Sequence, residues 1–204
     1  MNMIKDIFTN IIKYRKWDHN IPCGSGSSLE YTEQLRETLP AFLIKHGIQS
    51  MADVPCGDFS WMSQVKFPEN FCYIGGDIVN FLIRKNQRKW PDKDFRVFDL
   101  TRDKLPDVDL LFCRDCLFHL SESDIAKVFD NVLSSNVKYI MTTSFLPDCF
   151  DNQDIKTGDF RPVNLEATPF NLPKPIDSLD DGPVGEVTRR MCLWNKDVVR
   201  TAFK

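Results

Sequence analysis

The stretch Met51-Ala-Asp-Val-Pro-Cys-Gly-Asp-Phe-Ser-Trp61 is typical of a short apolar strand that continues into a glycine-containing turn and then a helix. In an α/β unit, such a turn lies at the carboxyl end of the first strand. Backbone N–H groups and the missing side chain of Gly57 let a ligand approach closely there. Asp77 ends the next apolar run at the spacing of an acidic residue that binds ribose hydroxyls. These residues predict an adenosine-containing ligand.

Five apolar runs alternate with helical segments along the chain. The runs are 50–55, 71–77, 95–100, 109–115 and 137–145. Periodic apolar positions predict helices over 78–90 and 121–133, and Ser121 gives the second helix a typical start. This alternation predicts a doubly wound α/β fold, with a mostly parallel sheet and helices on both faces.

Further segments extend this core at both ends. Apolar residues at helical spacing predict an amphipathic helix over 3–14, and a second helix is expected over about 29–45. The segment before the last predicted strand is rich in proline and aspartate and lacks clear periodicity, which predicts a long irregular loop. We therefore expect one domain over 1–204, with N-terminal helices and the GSGSS loop in 1–47, a ligand-binding core in 48–146, a substrate-side loop in 147–186, and the last strand and a helix in 187–204.

The composition is that of a compact globular domain. The chain has 204 residues, of which 42% are hydrophobic and 27% charged. A chain of this length can bury a core without disulfides or a structural metal. The formal net charge of −3 argues against a protein that grips a phosphate backbone through bulk electrostatics.

Cysteine usage and hydropathy indicate a cytoplasmic protein. Seven cysteines at irregular spacing suit free thiols in a reducing compartment. The apolar stretches are shorter than the roughly 18 residues of a membrane span, and the N-terminus lacks the pattern of a signal peptide. Cys113 and Cys116 form a CxxC pair, but no second pair completes four zinc ligands, so no metal site is predicted.

Carboxylates lie at the ends of three successive predicted strands. Asp53 and Asp58 flank the glycine turn, Asp77 ends the second strand and Asp99 ends the third. Each aspartate alone has a simpler interpretation as a helix cap or turn residue. Their joint placement, with a glycine turn after the first strand, favours a nucleotide site.

On these residues, the chain resembles the class I S-adenosylmethionine-dependent methyltransferases, which have a Rossmann-like fold. DVPCGD at 53–58 resembles that family's first motif, GGDI at 75–78 its ribose position, FDLT at 98–101 its adenine position and DLLFCRDCLFHL at 109–120 its fourth strand. The resemblance covers about 48–146. Pro55 and Phe59 depart from the pattern, since they stand where the first and third glycines usually lie.

A narrower resemblance concerns three longer stretches of the chain, at 53–62, 114–121 and 158–175. They are similar to a small bacterial subgroup associated with surface-polysaccharide biosynthesis. This similarity suggests an acceptor from that chemistry.

The resemblance implies S-adenosylmethionine as the cofactor and S-adenosylhomocysteine as its product. Gly57 and its neighbours would contact the methionine part, and Asp77 would bind the ribose. Asp99 and Leu100 would flank the adenine, and Arg114 would reach the methionine end. The implied cofactor-binding residues are Asp53, Pro55, Cys56, Gly57, Asp58, Trp61, Asp77, Ile78, Asp99, Leu100 and Arg114.

A general base is required only if the acceptor carries a proton. For a hydroxyl acceptor, the candidate catalytic residues are His119 and Asp115, since both follow the carboxyl end of a central strand. An equally simple interpretation makes His119 an ordinary residue near the start of the helix that follows Ser121.

The acceptor would be bound by residues outside the core. Arg161 and Arg189 are candidates for an anionic acceptor, because guanidinium groups suit phosphate and carboxylate. The alternative for either arginine is a salt bridge to the aspartate-rich loop. Trp17, Ser25 and Ser27 are expected to close over the site from the N-terminal side.

The sequence thus predicts a methyltransferase of the EC 2.1.1 class that methylates an oxygen of a small molecule or of an activated or phosphorylated glycan precursor. A phosphoramidate-type capsule modification is one candidate. An NAD-dependent oxidoreductase is an alternative, because a glycine turn and an acid at this spacing also describe its site. An RNA methyltransferase and a non-catalytic scaffold remain open. Neither nucleic acid nor membrane is favoured as a partner, and the oligomeric state is not predicted.

Overall fold

The computed structural model describes residues 3–146, 152–183 and 188–202. The helices in these residues are α1 (Met3–Lys13), α2 (Glu33–Lys45), α3 (Asn80–Lys89), α4 (Glu122–Ser134) and α5 (Lys196–Ala202). The strands are β1 (Ser50–Asp53), β2 (Cys72–Asp77), β3 (Asp94–Val97), β4 (Leu110–Cys113), β5 (Tyr139–Phe145), β6 (Asp177–Asp180) and β7 (Arg189–Asn195).

All seven strands form one sheet in the order β3-β2-β1-β4-β5-β7-β6. The strands β1 to β5 are parallel, and β7 runs antiparallel to both β5 and β6. The predicted doubly wound, mostly parallel sheet is confirmed. The strand order reverses between β1 and β4, and ligands of open α/β sheets bind at the carboxyl ends of the strands beside such a reversal.

Two hydrophobic layers cover the two faces of the sheet. On β4, Leu111 and Cys113 pack on one side and Leu110 and Phe112 on the other, as the two-residue period of a strand requires. The first layer includes apolar residues of α4 and α5, and the second includes those of α2 and α3. Buried on both faces, β4 is a rigid support for the residues that follow it.

The helix predicted after the glycine turn is absent, and that prediction is wrong. A single 3-10 turn, Met62–Gln64, stands in its place. The backbone adopts positive φ at Gly57 (55°) and at Phe59 (58°). An α-helix cannot run through residues in the left-handed region, so the chain makes two turns here and forms no α-helix.

The loop predicted over 147–186 is only partly irregular, because it contains β6. Within the described residues, this strand pairs only with β7, and its sequence, Asp-Ser-Leu-Asp, lacks the alternating apolar pattern of a half-buried strand. Pairing with β7, and not its own side chains, therefore defines this edge strand. Residues 147–151 and 184–187 of the chain lie outside the described residues.

The observed start of α4 agrees with the start predicted from the sequence, whereas that of α2 does not. The Asp124 N–H donates to Ser121 Oγ at 3.2 Å, which confirms the predicted start of α4. α2 begins at Glu33 and not near residue 29, because residues 25–27 form a 3-10 turn of their own. Among the helices of the described residues, none combines the length and apolar character needed to cross a membrane.

Candidate functional site

A deep cleft opens at the carboxyl ends of β1, β2 and β4, beside the reversal of strand order. It holds about 1040 Å³ of empty space, its open mouth included. The turns after the three strands form its floor. Ile4, Phe8 and Ile12 of α1 form its outer wall.

Asp77, at the end of β2, fixes the glycine turn that follows β1. Its Oδ2 accepts a hydrogen bond from the Gly57 N–H at 3.1 Å, and its Oδ1 accepts one from the Val79 N–H at 2.8 Å. Asn86 Nδ2 donates to the Gly57 carbonyl at 2.8 Å, so both backbone groups of Gly57 have partners. Burial raises the pKa of Asp77 to about 6, and the two backbone hydrogen bonds oppose that rise.

The turn accommodates Phe59, at a position where glycine is usual, because the phenylalanine ring packs against other aromatic side chains. Phe59 has positive φ, a conformation that disfavours side chains with a Cβ. Its ring lies 5.0 Å from that of Tyr73, 4.9 Å from Trp90 and 5.1 Å from Phe95, measured between centroids. Aromatic packing of this kind stabilises the strained backbone. Pro55, the other departure, lies half-buried in the lining of the cleft.

Asp53 is a buried carboxyl at the end of β1 that faces the cleft. The Tyr73 hydroxyl donates to its Oδ2 at 2.6 Å. Burial raises the pKa of Asp53 to about 7, although the tyrosine hydrogen bond and the charge of Arg114 lower it. A bound cation would therefore draw Asp53 toward its charged form.

The far side of the cleft is apolar. Ile78, Leu82, Phe98 and Leu100 line it together with the α1 residues. Asp99 lies at its edge, where it accepts hydrogen bonds from the Thr101 backbone at 3.1 Å and hydroxyl at 2.6 Å. This side therefore offers a flat, apolar site beside a carboxylate.

A buried ionic cluster of Arg114, Asp115, Asp181 and Arg189 lies at the other end of the cleft, where Arg114 and Asp115 belong to the lining and the other two lie behind them. Arg114 Nη2 donates to Asp181 Oδ1 at 2.8 Å, and Arg189 Nη2 donates to Asp115 Oδ2 at 3.0 Å. Arg114 Nη2 also donates to the Gly26 carbonyl at 2.8 Å. A Cβ on Gly26 would lie 2.7 Å from Asp115 Oδ2, so a side chain at this position of the GSGSS loop would displace the Asp115 carboxylate.

His119 follows β4 and lies against this cluster. Its Nδ1 lies 2.8 Å from the Asp159 carbonyl, and because a carbonyl only accepts, the proton is on Nδ1. The Trp17 ring stacks on the imidazole with centroids 4.4 Å apart. Burial, together with the charges of Arg161 and Arg189, lowers the pKa of His119 to about 4, although the hydrogen bond to the Asp159 carbonyl opposes this shift. His119 is therefore neutral near pH 7, with an unprotonated Nε2.

The structure brings together most residues that the sequence singled out. All eleven residues implied for the cofactor line one cleft. The two candidate catalytic residues and two of the five acceptor-side residues also line it, namely Asp115, His119, Trp17 and Ser27.

The other three acceptor-side residues lie outside the lining. Ser25 is exposed in the GSGSS loop. Arg161 is buried, and its Nη1 donates to the Leu117 carbonyl at 3.0 Å. Arg189 belongs to the buried ionic cluster. Arg189 is therefore paired with carboxylates, whereas Nε and Nη2 of Arg161 are buried without a hydrogen-bond partner among the described residues.

No protein-family model matches the chain, and no curated protein matches it. Solved structures do resemble it. Magnesium protoporphyrin IX methyltransferase from Synechocystis PCC 6803, with bound S-adenosylhomocysteine, is 14% identical with a TM-score of 0.61, over 94% of this chain and 97% of that one. A methyltransferase from Clostridium acetobutylicum ATCC 824 is 12% identical with a TM-score of 0.60, over 90% and 98%. Human N-acetylserotonin methyltransferase, with S-adenosylmethionine, is 10% identical with a TM-score of 0.61, over 94% and 56%.

The chain has the Rossmann-like methyltransferase fold. Its sheet order and cleft position are those expected of that fold. Because the identities are only 10 to 14%, the similarity establishes the fold and no more.

Two parts of the cleft in this methyltransferase fold were not predicted. The amphipathic pattern of α1 was visible, but the sequence does not show that its apolar face covers a cleft. The sequence offered Asp181 only as one of several loop aspartates that could form a salt bridge with Arg189, an alternative that the structure confirms, and did not single it out. Its burial follows from β6, which the sequence also does not show.

Proposed function

We propose that the protein is an S-adenosylmethionine-dependent methyltransferase. The observation that carries this proposal is the charge of the cleft. Among the described residues that line it, five aspartates face a single arginine, the set being Asp53, Asp58, Asp77, Asp99 and Asp115 against Arg114. The proposed cofactor carries a sulfonium and an ammonium group, and an acidic cleft attracts such cations.

The same observation disfavours NAD. A dinucleotide carries two negative phosphates, which usually lie at the N-terminus of the helix after the first strand. Here, a 3-10 turn replaces that helix, and carboxylates surround it. Both the charge and the backbone of the turn therefore favour the methyltransferase over the oxidoreductase.

The residues present fit the proposed cofactor. Each oxygen of Asp77 accepts one backbone hydrogen bond and keeps a further lone pair for a ribose hydroxyl. Ile78 and Leu100 offer apolar surface for the adenine, with Asp99 at its edge. The methionine part of the cofactor would lie along Gly57 toward Asp53 and Arg114. There, the carboxylate of Asp53 would balance the ammonium group of the methionine part.

When bound, the cofactor supplies an electrophilic methyl group on a sulfonium sulfur. The task of the protein is then to position the acceptor oxygen and to exclude water. His119 Nε2 is unprotonated and can accept the hydrogen bond of an acceptor hydroxyl. A nitrogen with a pKa of about 4 is a weak base, so His119 orients the hydroxyl. The proton that the hydroxyl loses on methylation would pass to Asp115, the other candidate base, because burial raises the pKa of that carboxyl.

The proposed acceptor is a hydroxyl group of a small molecule or of a glycan precursor. The link to surface-polysaccharide biosynthesis is supported by the sequence resemblance alone. A phosphorylated or phosphoramidate acceptor is less well supported, because Arg189 is paired with Asp115 and Arg161 is buried outside the lining of the cleft. We also propose a cytoplasmic location, in keeping with the free cysteines.

Calorimetric titration tests the proposal directly. We expect the purified protein to bind S-adenosylhomocysteine and not NAD. Binding of NAD alone would overturn the methyltransferase assignment in favour of the oxidoreductase. Binding of neither would leave the fold without the proposed cofactor and would refute the proposal.

A further inference from the structure

The charge of the cleft restricts which acceptor can bind as well as which cofactor. The inference that follows rests on the proposed function. We infer that the acceptor is a small molecule without negative charge that presents hydroxyl or amine donors. The inference depends on two features of the acceptor end of the cleft. The two arginines of the buried ionic cluster, Arg114 and Arg189, are already neutralised by carboxylates. The polar side-chain atoms discussed below carry lone pairs that can accept hydrogen bonds.

Arg114, the one cation among the described lining residues, has no charge to spare. Its Nε donates to both carboxylate oxygens of Asp181, at 3.1 and 3.0 Å. Its Nη2 donates to Asp181 and to the Gly26 carbonyl, each at 2.8 Å, and its Nη1 lies 3.3 Å from Asp115 Oδ2. A phosphate or carboxylate would have to displace one of these buried partners, which is costly.

Arg189 is neutralised in the same way. Its Nη2 lies 3.0 Å from Asp115 Oδ2, and its Nε lies 3.4 Å from Asp181 Oδ2. The buried ionic cluster thus holds two guanidinium groups and two carboxylates, and its formal charges cancel. The other aspartates of the cleft then leave its field negative. Segments 147–151 and 184–187 add no lysine or arginine to the sequence.

The atoms open to an acceptor can accept hydrogen bonds. His119 Nε2 is unprotonated, since Nδ1 carries the ring proton toward Asp159. Ser27 Oγ donates to the Gly24 carbonyl at 2.7 Å, which leaves its lone pairs for a ligand. Asp115 Oδ2 is engaged by the two arginines, but Oδ1 accepts a long hydrogen bond from the Thr143 hydroxyl, at 3.4 Å, and keeps a lone pair. Burial raises the pKa of this carboxyl. Three acceptors at one end of a cleft match a molecule rich in O–H or N–H groups.

The test uses transfer of a labelled methyl group. The wild-type protein is incubated with methyl-labelled S-adenosylmethionine and a small-molecule extract of the cells that produce it, and the products are separated by anion exchange. We expect the label in the unretained fraction, which holds neutral and cationic molecules. Label in the retained, anionic fraction would overturn the inference. Label in neither fraction would also overturn it, since the acceptor would then not be such a small molecule.

Calorimetry with S-adenosylhomocysteine separates this failure from failure of the proposed function. If the protein binds S-adenosylhomocysteine but labels anionic molecules, only the acceptor inference fails. If it does not bind S-adenosylhomocysteine, the proposed function itself fails.

A matched pair of charge variants gives a second readout. Ser27→Lys places a cation at the acceptor end, and we expect transfer to the unretained fraction to fall about tenfold or more. Asn20→Lys adds the same charge to an exposed position in the preceding loop and should leave transfer near the wild-type level. Equal transfer by both variants, with S-adenosylhomocysteine bound normally, would contradict the inference.

Discussion

Asp53 is a single residue whose burial should make stability depend on pH. In the folded chain, its pKa is raised from 3.8 to about 7, so the folded state holds a proton that the unfolded chain has already lost. The contribution of Asp53 to stability is therefore fully present below about pH 4 and is lost as the pH rises to about 7. We expect Asp53→Asn to remove this part of the pH dependence and to stabilise the protein at pH 8.

Urea unfolding of wild type and Asp53→Asn at pH 4 to 8 measures this effect. Tyr73→Phe is the matched comparison, because the Tyr73 hydroxyl lowers the pKa of Asp53. Without that hydroxyl, the loss of stability should extend to higher pH. Parallel curves for wild type and Asp53→Asn would show that Asp53 titrates normally.

A substitution of Asp77, again a single residue, tests the proposed contact with the ribose. We expect Asp77→Asn to weaken S-adenosylhomocysteine binding about tenfold or more, because an amide accepts fewer hydrogen bonds than a carboxylate. Calorimetry measures the affinity, and a thermal melt shows whether the variant is folded. Asp92→Asn, at an exposed position after α3, is the control. Unchanged affinity in folded Asp77→Asn would refute the ribose contact.

At the scale of elements, β6 contributes the cleft's buried counter-anion. Asp181 directly follows β6 and is fully buried against Arg114 and Arg189. We expect Asp181→Asn to destabilise the protein by about 3 to 5 kcal/mol, because it leaves a buried charge unpaired. Asp180→Asn breaks only the exposed pair with Arg190 and should cost at most about 1 kcal/mol. Urea unfolding measures both.

A double variant separates charge from packing. Asp181→Asn combined with Arg189→Gln restores the balance of charges, with Arg114 and Asp115 left as a pair. The double variant should be more stable than Asp181→Asn alone. If the two losses simply add, the cluster acts through packing and not through charge.

The elements that the sequence predicts are those whose own residues determine them. The strands β1 to β5 are apolar runs, and α4 has its capping serine at Ser121, so all of them follow from local pattern. The helix expected after Gly57 fails because Phe59 adopts positive φ, which depends on aromatic neighbours far along the chain. The strand β6 depends on pairing with β7, and the burial of Asp181 depends in turn on β6. Tertiary contacts decide both, and a local pattern cannot show them.

At the scale of the whole molecule, α1 encloses the cleft. Ile12 packs with Val79 and Leu82 on the body, and Phe8 lies 6.1 Å from Trp17, measured between ring centroids. We expect Phe8→Ala to weaken S-adenosylhomocysteine binding about tenfold and to speed its release, because the outer wall loses apolar surface. Tyr14→Ala, just past α1 and exposed, should leave both unchanged.

Stopped-flow release and calorimetry measure these two effects. A slower release from Phe8→Ala, or the same loss in Tyr14→Ala, would show that α1 does not cover the bound ligand.

The bonds of the buried ionic cluster also fix the order in which the site can be completed during synthesis. The hydrogen bond from Arg114 to Gly26 spans 88 residues of sequence, that from Arg114 to Asp181 spans 67, and that from Arg189 to Asp115 spans 74. A nascent chain can therefore form the glycine turn and β1 to β5 while Arg114 still has no partner at position 181. The described residues that line the cleft all lie within 4–120, but the buried ionic cluster beneath it becomes complete only after Arg189, at the start of β7, has been synthesised.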